Sequence, residues 1–135
     1  MPYYFEIDST ERIARCRFEG RLTDEELRKC YQTASEIVAL RDPRAGIIDL
    51  SAIKSYDVSS RTIHKLAKSP PIMPKADCVR VIIAAPLHIY GMARIFMFVG
   101  WQTRPNLHVV RFEEEAWAIL GVSKPQFNFC ERKPA

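Results

Sequence analysis

The chain has 135 residues, 47% of them apolar and 27% charged, the balance of one ordinary globular domain, which excludes wholesale disorder. Its net charge of +4 comes from 20 Lys plus Arg against 16 Asp plus Glu, scattered without a basic run, so nothing in it points to nucleic acid. A domain of this size buries roughly two-thirds of its unfolded surface and needs no metal or disulfide staple to fold.

Residues 3–8 and 12–19 read as two short strands joined by the polar turn Ser9-Thr10-Glu11. In the second, Ala14, Cys16 and Phe18 alternate with Arg15 and Arg17, the mark of a strand with one buried face. Ile13 falls on the polar side of that alternation, and Gly20 reads as the strand's end. Thr23-Asp24-Glu25-Glu26 has the form of a capping box, with the Thr hydroxyl accepting an orphan N–H and Glu26 reaching back to the cap. Leu27, Cys30, Tyr31, Ala34, Ile37 and Val38 follow at helical spacing as one apolar face, which Asp42-Pro43 stops.

Gly46-Ile47-Ile48-Asp49-Leu50 is a short apolar run of the kind found in buried parallel strands. A helix near residues 58–68 turns Val58, Ile63, Leu66 and Ala67 inward and ends at Pro70-Pro71. Val79 to Ala85 is the clearest buried strand. A third helix over 88–101 carries Ile89, Tyr90, Met92, Ala93 and the run Ile95 to Val99, and Leu107 to Phe112 is a fifth strand. Glu113-Glu114-Glu115 opens a last helix, its acids complementing the positive helix start; Trp117, Ile119 and Leu120 pack, and Gly121 caps the end.

The order β-β-α-β-α-β-α-β-α predicts a single α/β domain over residues 1–122, a five-stranded mixed, mainly parallel sheet covered by four helices. Residues 123–135 read as a polar C-terminal tail, with Phe127 and Phe129 available to dock on the body.

Cys16, Cys30, Cys78 and Cys130 form no C-x-x-C pair and lie beside no His at zinc-ligand spacing, so they read as reduced thiols of a cytoplasmic protein. The opening Met1-Pro2-Tyr3-Tyr4-Phe5-Glu6 lacks the basic region and apolar core of a signal peptide. The most hydrophobic stretch, Val79 to Trp101, is broken by Arg80, Pro86, His88 and Arg94 and does not suit a membrane span. With no P-loop and no G-x-G-x-x-G, no cofactor is expected.

In a parallel sheet, function collects beyond the carboxyl ends of the strands, here at Gly20–Thr23, Ser51–Ser59, Pro86–Tyr90 and Phe112–Glu113. The second segment is the most distinctive: the strand ends in Asp49-Leu50-Ser51, and Asp57-Val58-Ser59-Ser60 opens a helix. There the chain resembles the STAS family, the anti-sigma-factor-antagonist fold, with its D-L-S-like turn and D-S-S-G-like helix start. The resemblance matches Asp57 to the Asp, Val58 to the phosphoacceptor position, Ser59 to the second Ser and Ser60 to the Gly. It implies a non-enzymatic regulatory or protein-interaction module with a kinase or regulator as partner. Ser59 is then the nearest phosphoacceptor, with Asp49, Ser51, Asp57 and Ser60 as its switch loop. Helix capping alone also calls for Asp57 and Ser59, and a phosphate on Ser59 would meet free helix N–H groups.

The chain is also similar to small bacterial STAS-like and CRAL-TRIO-like proteins over Tyr90-Gly91-Met92-Ala93-Arg94-Ile95-Phe96 and Glu115 to Gly121. That resemblance implies a lipid or other apolar ligand as an alternative. The five successive residues Ile95 to Val99 step about 100° each and sweep more than one side of their helix. Tyr90, Met92, Phe96, Met97 and Phe98 are therefore candidates for an apolar surface or ligand site, with a homodimer ranked before the tail or a ligand. A small hydrolase built on Ser51, His64 and Asp57 is the least favoured reading, because no nucleophile elbow accompanies them. His64, His88 and His108 fall on separate elements and give no metal spacing.

Overall fold

Alternation builds the first hairpin as expected. In the computed structural model, which describes residues 3–130, β1 (Tyr3–Asp8) pairs antiparallel with β2 (Ile13–Thr23). Then come α1 (Asp24–Arg41), β3 (Ala45–Asp57), α2 (Ser60–Lys68), β4 (Val79–Ile83), α3 (Leu87–Val99), β5 (Leu107–Val110) and α4 (Glu113–Leu120). The chain closes with a short sixth strand, β6 (Asn128–Phe129), so the sheet has six strands in the order β5-β4-β3-β2-β1-β6. The expected count of five is corrected by β6, which pairs antiparallel with the outer edge of β1. Met1, Pro2 and the rest of the expected tail, residues 131–135, lie outside the described residues.

Strands β2 to β5 run parallel, as the alternation of strands and helices requires. Two strands are longer than expected. Gly20 does not end β2: it sits within it at φ +69°, a left-handed conformation that glycine adopts freely, next to a register shift against β3. The segment Ser51 to Asp57 is likewise strand, not loop. Two register shifts leave β3 with extra residues opposite β2, so Leu50, Ile53 and Tyr56 reach the core at three-residue spacing. That spacing hides a strand from any period-two reading. The structure also moves the start of the second helix, since Val58 precedes α2 and Ser59 is its cap.

Both faces of the sheet are covered. One carries the larger core, where Phe5, Cys16, Phe18, Leu50 and Ile82 pack against Cys30 and Ala34 of α1 and Ile89 and Ala93 of α3. On the other face Ile13, Ile47, Val81 and Ile83 pack against Ala116 and Leu120 of α4, with Trp117 and Phe127 at the margin. Ile13, on the polar side of the β2 alternation, is thus fully buried in this second core. Arg15 is buried there too, its Nε 2.9 Å from a Glu6 oxygen and its guanidinium 3.9 Å from the centre of the Phe127 ring.

The caps follow the sequence in part, since among the described residues Glu26 does not reach back to the Thr23 N–H. Thr23 Oγ1 accepts the Glu26 N–H at the start of α1. Glu115 reaches back to accept the Arg111 and Phe112 N–H groups before α4. Gly121, at φ +72°, ends α4, and the following Val122 N–H reaches the Trp117 carbonyl.

Candidate functional site

Of the expected switch residues, Ser59 sits at the corner where α1 and α2 begin. Ser59 is exposed and caps α2, its Oγ accepting the Thr62 N–H at 3.2 Å. Its hydroxyl proton and its backbone N–H both go to one carboxylate, Asp24, at 3.0 and 2.8 Å. The first residue of α1 is therefore tied to the cap of α2. These bonds, the Ser59 backbone N–H first, hold the Asp24 carboxyl below the ordinary carboxylate range. The sign is that of a lowered acid. The tie is in place above about pH 4 and is lost as pH falls through the folded-state value.

Asp57 and Ser60 flank this corner without joining it. Asp57 forms an exposed ion pair with Arg21 at 2.6 Å, and the Ser60 carbonyl meets Nδ1 of His64 at 2.8 Å. Asp49 is buried and sits with the second core's side of β3. It accepts the Ser51 N–H at 3.0 Å and lies 3.4 Å from Nε of Arg17. Among the described residues no hydrogen bond links Ser51, His64 and Asp57. Tyr56 lies half-buried near the corner, its hydroxyl pushed up to about 12 mainly by burial.

Helix α3 divides its apolar residues as the 100° step demands. Tyr90, Phe96 and Met97 lean on the first core, and Met92 is half-buried. Phe98 points out with 80% of its surface exposed, alongside Leu87 at 69%, Ile95, and Trp101 at 62% just past the helix end. The described part of the tail, residues 123–130, does not cover this row. Phe127 stacks on Trp117 and Phe129 tilts against Tyr4, both well away from α3 in the fold.

Beneath α1, α2 and α3 the first core holds a partly open cavity of about 180 Å3. Part of its floor is a row across four strands, Ala14, Gly46, Arg80 and Leu107, which are register neighbours. Ala14 and Gly46 are the small residues of that row, and the Met73 side chain lies over Gly46. Phe18, Cys30, Ile63 and Ile89 are among its apolar walls. Cys16 and Cys30 meet there with their Sγ atoms 3.2 Å apart, and burial pushes the Cys16 thiol well above its ordinary range.

Arg15 lines this cavity, and so do Arg80 and Arg104, which sequence reasoning missed. Arg104 braces the end of α2, donating to the Ala67 and Leu66 carbonyls at 2.8 and 3.0 Å and to Tyr31 Oη at 2.9 Å. Tyr31 in turn donates to the Pro70 carbonyl. Arg80 spends its Nη groups on the Met73, Lys75 and Cys78 carbonyls, but its Nε–H is buried without a hydrogen-bond partner. Burial lowers the basicity of Arg80. The available signal was Arg80 itself, a full charge inside the run Val79 to Ile83 that is otherwise apolar.

The chain is similar to the solved structure of the anti-sigma factor antagonist SpoIIAA in its unphosphorylated form, with a TM-score of 0.60 over 90% of this chain and 99% of that one. The fold is that of SpoIIAA. The two chains are 11% identical, so what they share is architecture. No family model matches the sequence, and the search of curated proteins found no match. Among the described residues no helix is long and apolar enough to cross a membrane, and no His, Cys, Asp and Glu side chains cluster as metal ligands.

Proposed function

We propose that the chain is a non-enzymatic, STAS-like regulatory module that works by protein contact, through the outward row of α3 and the Ser59 corner. The exposed row of Leu87, Ile95, Phe98 and Trp101 carries the reading, because apolar surface of that extent is seldom left facing water. The SpoIIAA-like fold supports it as architecture. A second copy of the chain is the occupant of the α3 row, giving a homodimer, and a kinase or regulator is the partner at Ser59.

Light scattering over a concentration series tests the contact. Wild type should gain mass with concentration, and Phe98→Glu should weaken association at least tenfold by forcing an unpaired charge into an apolar interface. The monomer should keep its fold, since Phe98 touches water already. A wild type that stays monomeric at millimolar concentration would sink the homodimer.

A second prediction concerns charge at position 59. Aspartate and asparagine both cap helices well, so cap chemistry alone predicts equal stability for Ser59→Asp and Ser59→Asn. Asp24, bonded to Ser59 Oγ at 3.0 Å, breaks that equality. Ser59→Asp should be less stable than Ser59→Asn by about 0.5–1 kcal/mol, and Asp24→Asn should erase the difference in a double-mutant cycle. A phosphate would push on Asp24 in the same sense and loosen the tie between α1 and α2. Equal denaturation midpoints and equal partner binding for the two variants would remove Ser59 as a switch.

A further inference from the structure

We propose that the cavity under α1, α2 and α3 binds a small amphipathic monocarboxylate, its carboxylate on the Nε–H of Arg80 and its hydrocarbon part against the apolar walls. This goes beyond the contact reading, which concerns the outside of α3.

The charge arrangement points to an anion. Arg80 and Arg104 are only 8% and 4% exposed, both line the cavity, and neither is in an ion pair with a carboxylate among the described residues. Buried charges ordinarily have a counter-charge, because carbonyl bonds satisfy geometry without neutralising the ion. The orphaned donor fixes where the anion sits. Arg80 holds its own loop through its Nη groups, which leaves the buried Nε–H as the donor without an acceptor. A carboxylate oxygen would make a charge-assisted hydrogen bond there once Arg80 turns its Nε–H into the cavity.

Size and polarity fix the rest of the molecule. An apolar cavity of about 150 Å3 holds one benzene, and this one measures about 180 Å3. A medium-chain fatty acid or an arylacetic acid matches that space, whereas a two-chain lipid far exceeds it. Gly46 makes room for the Met73 side chain in the cavity wall. A Cβ there would come within 2.7 Å of the Met73 sulfur, and Gly46 lies next to Arg80 in the sheet register.

Nuclear magnetic resonance of the full-length wild-type chain, titrated separately with octanoate, 1-octanol and acetate, tests the assignment without relying on an Arg80 variant. Octanoate should move the Arg80 Nε–H resonance and bind at least tenfold more tightly than 1-octanol, and acetate should not saturate. Ala34→Leu narrows the cavity from α1 and should weaken octanoate at least tenfold while the amide spectrum stays folded. Phe98→Glu should bind octanoate like wild type, which separates this proposal from the contact reading. Equal affinity for octanoate and octanol, an unmoved Arg80 Nε–H, no binding at millimolar octanoate, or full octanoate binding by Ala34→Leu would each overturn it.

Discussion

Arg104→Ala should destabilise the fold by about 3–5 kcal/mol, a fall in Tm of roughly 10–20 °C. The side chain is buried and comes from the segment after α3, yet it closes the end of α2. The Leu66, Ala67 and Ser69 carbonyls accept from it at 3.0, 2.8 and 3.2 Å, the kind of group that a helix end leaves without an internal partner. Its guanidinium also lies 4.9 Å from the centre of the Phe96 ring and ties Tyr31 of α1 to the same point. Alanine would leave several buried acceptors unmet and an open space beside them, which is why the effect exceeds that of one lost hydrogen bond. Arg104→Lys should fall between the two, since a single ammonium has three donors and no planar fork. Chemical denaturation checks this, and a loss below about 1 kcal/mol for Arg104→Ala would show that α2 does not depend on the clamp.

Asp8→Ala should cost about 2–3 kcal/mol and release the end of the chain from the sheet. Asp8 is 4% exposed, and its two carboxylate oxygens are divided between the Glu11 N–H of the hairpin turn at 2.9 Å and the Gln126 N–H at 2.7 Å. One side chain thus sets both the first turn and the approach to β6. Hydrogen exchange reports the release directly, because the Cys130 N–H is held by the Phe5 carbonyl at 3.0 Å. Faster exchange at Cys130 with the α1 amides still protected is the expected pattern. Unchanged protection at Cys130 would mean that the β6 pairing holds the tail without Asp8.

These two residues also mark the limit of what the sequence makes legible. Regular periodicity located β1, α1, the core of β4 and the four helices, because each presents one apolar face at a spacing its backbone dictates. The far ends of β2 and β3 were hidden because their bulges break the alternation just where Gly20 and Ser51 read as turn residues. β6 was hidden for another reason. Two residues carry no period, and Asn128–Phe129 becomes a strand only because β1 offers an unpaired edge.

The candidate site was legible in part. Ser59 was recognisable as a helix start, since capping is a local matter. Its partner Asp24 lies 35 residues earlier and was read only as the first acid of its own helix. Phe98 lies outward, whereas Met97, its neighbour among the same candidates, packs against the first core. Arg80 and Arg104 reach acceptors that belong to other segments, and no spacing rule joins a guanidinium to a carbonyl that the fold brings to it.

The lengths of the strands have a further consequence. The sheet tapers from 13 and 11 residues in β3 and β2 at its middle to four in β5 and two in β6 at its borders. The border strands β5 and β6 each offer a newcomer only a brief row of N–H and C=O groups, whereas the far ends of β2 and β3 pair with each other beyond the reach of β1 and β4. Growth by adding strands to β5 or β6, the route to fibrils, has little backbone to build on.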